Sequence, residues 1–130
     1  MSEPTTVGMT TAGHQTLTAL KHNPDDEHSG PFHQMKDAYL FSVSLALRCG
    51  KIAPESLVTD KTFLNVGSLD PDRSLYDVVS LLRPTECANE PVYRTVMRLA
   101  EAGLEELVER SAGGTIRFQQ ILEGLEAGER

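Results

Sequence analysis

Apolar residues are densest between Phe32 and Gly50, and this segment carries two competing periods. One set alternates as in a β-strand and the other recurs at helical spacing: Phe41, Val43, Leu45 and Leu47 against Met35, Tyr39, Val43 and Ala46. The length of the segment, its good helix formers and a glycine at the place of a C-terminal cap favour the helix. Because apolar residues surround its second half, we expect this helix to be the central and most buried one.

Residues 74–84 carry a shorter helical pattern. Ser74 and Asp77 have the spacing of a capping box, which is typical of a helix N-terminus. Apolar residues then follow the i, i+3, i+4, i+7 pattern: Leu75, Val78, Val79 and Leu82. Since Pro84 cannot continue a helix, the pattern predicts a short helix from Leu75 to Arg83.

The longest helix is predicted to follow the opening Asn89–Pro91, which combines an amide cap with an early proline. Two adjacent apolar stripes then continue as far as the stop at residues 111–114. A last amphipathic helix is predicted over residues 115–128. Residues 51–73 read as a long connection, in which residues 61–66 form one short strand or a partly extended segment.

The first 31 residues are rich in Thr, Ser, Gly, Pro, His and Asp. Such a segment buries too little apolar surface to offset its ordering entropy, so we expect residues 1–31 to be a flexible tail and residues 32–130 to be a single helical domain. The predicted fold class is therefore mainly α. It is a compact bundle of about four helices around a central buried helix, with one short strand as an open alternative.

The charge balance is acidic, with 19 Asp and Glu residues against 12 Lys and Arg residues and a net charge of −7. A field of this sign repels phosphate backbones, so DNA binding is not favoured. A local basic patch stays open as an alternative, and it would be built from Arg48, Lys51, Arg83, Arg94 and Arg98.

Other compositional features point to an intracellular setting. No run approaches the 18 or so apolar residues that a membrane span needs, and the N-terminus lacks the pattern of a secretory signal. Cys49 and Cys87 have no zinc-binding spacing and read as two reduced thiols. We therefore expect a cytoplasmic protein that does not bind membranes.

The residue types that carry out catalysis do not form a recognisable set. The histidines lie in or beside the polar N-terminal segment without helical pairing: His14, His22, His28 and His33. The glutamates between Glu101 and Glu109 have the spacing of an exposed helix face, and no glycine-rich phosphate loop follows a strand. We expect no catalytic residues, no metal site and no cofactor, and so no enzyme.

Lys36 and Asp37 open the central helix and form the most informative charged pair. Asp37 suits the positive end of the helix dipole, while Lys36 extends its aliphatic stem along apolar neighbours. In a functional reading, the same pair contacts a partner or a phosphate group. Both readings stay open from the sequence.

Part of the chain resembles a known family. The opening residues that carry the likeness are Phe32–Phe41 with Met35, Lys36 and Asp37, then Leu45–Leu47, Gly50 and Pro54. They resemble the start of the small Dnd-system-associated proteins, which are encoded with bacterial DNA phosphorothioation genes. Tyr93, residues 102–107 and the helix over residues 75–82 are similar to that family's later helices. The resemblance covers about residues 32–112 and implies a role in defence against foreign DNA, without catalytic residues.

Together these features predict a non-catalytic accessory or adaptor protein of a bacterial DNA-modification or phage-defence system. Its partners would be other proteins of that system, and a homodimer is a reasonable expectation for a chain with apolar helix faces. The alternative is a nucleic-acid-binding or regulatory protein whose oligomer gathers the basic residues into one surface. A small hydrolase or nuclease would need a carboxylate cluster that the spacing does not reveal.

Overall fold

Six helices and one two-stranded antiparallel sheet make up residues 2–21 and 32–110, which are the residues that the computed structural model describes. The elements are β1 (Thr6–Met9), α1 (Thr11–Leu20), α2 (Met35–Cys49), β2 (Lys61–Asn65), α3 (Val66–Leu69), α4 (Ser74–Leu82), α5 (Pro84–Asn89) and α6 (Val92–Arg110). The predicted mainly α fold with a short strand is confirmed. The helix predicted over residues 115–128 lies outside the described residues.

The core is built on the pair of helices α2 and α6. The ambiguous segment before Gly50 is indeed a helix, and Gly50 ends it in the left-handed conformation, at φ 67°. However, the most buried helix is α6, where 13 of 19 residues are buried, against six of 15 in α2. The prediction that α2 is the most buried helix is therefore wrong, because α6 also packs against β1, α1 and α4.

The N-terminal segment departs most from expectation. Val7, Met9, Leu17 and Leu20 are completely buried, so residues 6–20 belong to the core and are not a flexible tail. Strand β1 pairs with β2 more than 50 residues later, from Thr6 opposite Asn65 to Met9 opposite Lys61, with a bulge between Val7 and Gly8. This long-range pairing supplies the order that local composition does not. Residues 22–31 of the predicted tail lie outside the described residues.

A carboxylate from α6 holds the start of α1 in place. Thr10 is the N-cap, and its hydroxyl accepts a hydrogen bond from the amide of Gly13 at 2.9 Å. Glu101 in turn accepts a bond from the Thr10 amide at 2.6 Å. An added Cβ at Gly13 would lie only 2.7 Å from a carboxylate oxygen of Glu101, so a glycine allows this close approach.

Helix α4 is capped differently from the prediction. Ser74 lies inside the helix rather than before it, and the residue before it, Arg73, has left-handed backbone geometry at φ 60°. The capping carboxylate belongs to Asp70, which accepts hydrogen bonds from the amides of Leu75 at 3.0 Å and Tyr76 at 2.9 Å. The predicted capping box of Ser74 and Asp77 is therefore wrong. Pro84 ends α4 as predicted, but it also opens α5 as that helix's first residue.

The Tyr39 hydroxyl is the one fully buried side-chain polar atom without a hydrogen-bond partner in the described part of the chain. Its ring stacks on Phe63 with centroids 5.1 Å apart, and burial raises the pKa of the hydroxyl. Because this oxygen loses its hydrogen bonds to water and makes none in the fold, its removal should not destabilise the protein. We expect Tyr39→Phe to leave the free energy of unfolding unchanged or to raise it by up to about 1 kcal/mol.

Urea denaturation checks this expectation against Tyr93→Phe. The Tyr93 hydroxyl donates to Asp70 at 2.8 Å, so its removal should cost about 1–2 kcal/mol. A larger loss in Tyr39→Phe than in Tyr93→Phe would show that the Tyr39 hydroxyl has a stabilising partner.

Candidate functional site

Two of the predicted contact residues, Arg94 and Arg98, anchor the connection that follows α2. Arg94 donates to the carbonyl oxygens of Glu55 at 3.1 Å and Leu57 at 2.5 Å. Arg98 donates through Nε to the carbonyl oxygen of Ala53 at 2.9 Å. The Ala53 amide in turn donates to the carbonyl oxygen of Arg98 at 3.1 Å. Both arginines therefore have structural partners.

The other predicted basic residues do not join them in one positive surface. Lys51 forms an ion pair with Glu106 and lies 3.8 Å from Glu109, and Arg83 lies 3.8 Å from Glu86. The hydrogen bond between Lys51 and Glu106 raises the pKa of the lysine and lowers the pKa of the glutamate. Arg48 is exposed near the end of α2. Since Arg98 is buried and most of these cations face carboxylates, one chain does not form the basic patch that the sequence allowed.

Lys36 and Asp37 lie in the first turn of α2, as predicted. Asp37 is exposed where the helix dipole favours a negative charge, and Lys36 is half-buried. Hydrogen bonds from Ser74 lower the pKa of Asp72, and the charge of Lys36 adds to that effect. The position of Asp37 is the one that the structural reading predicts, and the functional reading stays a prediction.

Several carboxylates serve as helix caps. Glu3 accepts hydrogen bonds from the amides of Val92 at 2.9 Å and Tyr93 at 3.0 Å at the start of α6, while Glu101 and Asp70 do the same for α1 and α4. Sequence reasoning missed these caps because each joins residues distant in sequence or outside the usual capping positions. Within residues 2–21 and 32–110, no group of three His, Cys, Asp or Glu side chains is placed to hold a metal ion.

The exposed face of α4 carries three apolar side chains, of which the second and third follow the first by about one helical turn. Val78 is 46% exposed, Leu81 78% and Leu82 56%, and these three residues form what we call the α4 patch. The sequence placed Val78 and Leu82 on the buried stripe, but the helix is turned so that Val79 packs inward beside Tyr76. Adjacent exposed apolar residues of this kind mark contact surfaces more often than scattered ones do.

A polar pocket of about 410 Å³ lies between the connection after α2, helix α5 and helix α6. It is lined by Glu55 of the connection, Thr85, Glu86 and Asn89 of α5, and Glu90 and Arg98. We call it the Arg98 pocket. Arg98 is 5% exposed, and its guanidinium donates to Glu90 at 2.7 Å. None of the sequence patterns indicated this pocket, because its walls come from three separate segments.

Comparisons with protein-family models, with curated protein sequences and with solved structures gave no match. The resemblance to the Dnd-system-associated family therefore stays a prediction that rests on the residues quoted for it. The structure places those residues mainly on α2, α4 and α6. In the described part of the chain, no helix has both the length and the apolar character to cross a bilayer.

Proposed function

We propose that the protein is a non-catalytic adaptor that binds a protein partner through the α4 patch. The observation that carries this proposal is the exposure of Val78, Leu81 and Leu82 on one helix face. Burying a leucine side chain contributes about 1.5–3 kcal/mol, so a partner that covers this face gains a large part of a typical binding energy from two residues. The net charge of −7 keeps such a surface soluble in the free protein.

The setting that we propose is a bacterial DNA-modification or phage-defence system, and it rests on the family resemblance alone. The residues that carry the likeness lie on α2, α4 and α6, and the α4 patch falls within the helix over residues 75–82 that is among them. The partner has to be identified by experiment.

Leu81→Asn is expected to abolish recovery of the partner in a pull-down from native cells. Leu81 is the most exposed large hydrophobic residue of the described chain, so its polar replacement should leave folding intact while it removes the centre of the contact. The matched control is Val108→Asn on α6, since Val108 is 51% exposed but lies apart from the patch.

The adaptor proposal predicts that wild type and Val108→Asn retain the same DNA-processing or defence protein and that Leu81→Asn loses it. Equal recovery by all three proteins would overturn the α4 patch as the contact surface. Recovery of no such partner by the wild type would overturn the proposed setting.

A further inference from the structure

An apolar groove of about 250 Å³ lies between α1 and the second half of α6. Its α6 wall is one helix face with i, i+3, i+4, i+7 spacing, formed by Glu101, Leu104, Glu105 and Val108. Its α1 wall consists of small residues, namely Thr10, Ala12, Gly13 and Thr16. Because helices approach each other more closely where the side chains between them are small, these two walls offer a place for a further helix.

The apolar stripe of α6 continues from the core into this groove. Leu104 is 2% exposed, whereas Val108, about one turn later, is 51% exposed. Among the described residues of α6, Val108 is the one large hydrophobic side chain with such exposure. A helix seated in the groove would complete the burial of this stripe.

The chain itself carries a segment that matches the groove. Residues 111–130, which follow the end of α6, lie outside the described residues. Their sequence has four apolar positions at i, i+3, i+4, i+7 spacing, namely Phe118, Ile121, Leu122 and Leu125. This is the spacing of the α6 wall, so the stripe and the wall have the same length of about two helical turns.

The connection between the two stripes has the length of a helical hairpin. Residues 111–114 are Ser-Ala-Gly-Gly, and connections of 2–5 residues join antiparallel helices that pack side by side. In such a hairpin, residues equally distant from the turn lie opposite each other. Phe118 then lies close to Val108, and Ile121 lies opposite Leu104.

The neighbouring face at the end of α6 suits an apolar stripe less well. Glu106 forms ion pairs there with Lys51 and with Arg110. An apolar segment on that face would remove water from these charges, which costs free energy. The α1 side of α6 is therefore the favoured side.

We infer that residues 115–126 dock as a helix in the α1–α6 groove of their own chain and cover Leu104 and Val108. A connection of four residues holds the segment near the groove at an effective concentration in the millimolar range, which favours the same chain over a second copy. The described residues that line the groove include none of α4. The inference therefore goes beyond the adaptor proposal and does not depend on it.

Amide hydrogen exchange of the full chain, followed by mass spectrometry at two protein concentrations, tests the inference. An isolated helix of this length is marginal in water, so protection of residues 118–125 reports docking. Exchange there should be at least about ten-fold faster in Leu122→Asp, which alters the stripe, and in Val108→Asp, which alters the groove. The matched control is Val58→Asp, since Val58 is 71% exposed in the connection after α2, and it should change exchange by less than about two-fold.

A second groove variant, Ala12→Asp, guards against a general loss of folding in Val108→Asp. Ala12 is exposed in the first turn of α1, where a carboxylate is favoured, so this variant should keep the fold and still release the segment. Exchange in the wild type as fast as in Leu122→Asp overturns the inference, as does protection that persists in both groove variants. A wild-type dimer in sedimentation that Leu122→Asp converts to a monomer would make a second copy the occupant and overturn it as well.

Discussion

Replacing Gly103 with alanine is expected to reduce the free energy of unfolding by at least about 3 kcal/mol. Gly103 lies on α6 where that helix crosses α2. A Cβ added there would lie 2.8 Å from the Cα atom of Ser42 and closer still to its carbonyl carbon and oxygen. These are backbone atoms in the middle of α2, so the two helices would have to move apart. Because a domain of this size has a total stability of about 5–15 kcal/mol, much of it would be lost.

Urea denaturation followed by circular dichroism measures this effect, and Gly67→Ala is the matched control. Gly67 lies in α3, where an added Cβ has no atom within 4 Å in the described structure. The control should therefore be neutral or stabilising by up to about 1 kcal/mol, since alanine is the better helix former. Similar midpoints for Gly103→Ala and wild type would mean that α2 and α6 do not approach as closely as the structure shows.

Asp70→Ala is expected to have the next largest effect, a loss of about 3 kcal/mol. The Asp70 carboxylate is 4% exposed and accepts three hydrogen bonds, from the amides of Leu75 and Tyr76 and from the Tyr93 hydroxyl. Its removal leaves these donors without an acceptor in a buried place. It also separates α4 from α6, because Asp70 joins the start of one helix to the side of the other.

Thermal denaturation should show a clear fall in Tm for Asp70→Ala and a much smaller one for Asp72→Ala. Asp72 is exposed, and it accepts hydrogen bonds from the amide and the hydroxyl of Ser74. Asp70→Asn should fall between the two, since an amide oxygen retains part of the acceptor capacity. Equal effects of Asp70→Ala and Asp72→Ala would remove Asp70 as the cap of α4.

The helices that carry strong periodic patterns could be predicted from the sequence. Helix α2, helix α4 and helix α6 lie within two or three residues of their predicted bounds, because spacing and end signals such as Gly50 and Pro84 act locally. Strand β1 and helix α1 could not be predicted. Their order depends on pairing with β2 and on the Glu101 carboxylate, which lies 91 residues after Thr10.

The candidate site was harder to predict than the fold. The period of α4 shows that it is a helix, but the face that turns inward depends on the neighbours of Val79 and Tyr76, which are set by tertiary packing. Arg94 and Arg98 were predicted as contact residues from their charge. The structure uses both as anchors for the connection before β2, since Arg94 donates to the carbonyl oxygens of Glu55 and Leu57 and Arg98 donates to that of Ala53.

The central claim is that a partner protein covers the α4 patch in the cell. A photo-crosslinking amino acid in place of Leu81, compared with the same amino acid in place of Val108, tests it directly in native cells. The account predicts one defined protein adduct at position 81 and none of that adduct at position 108. The same adduct at both positions, or no adduct at position 81, would contradict it.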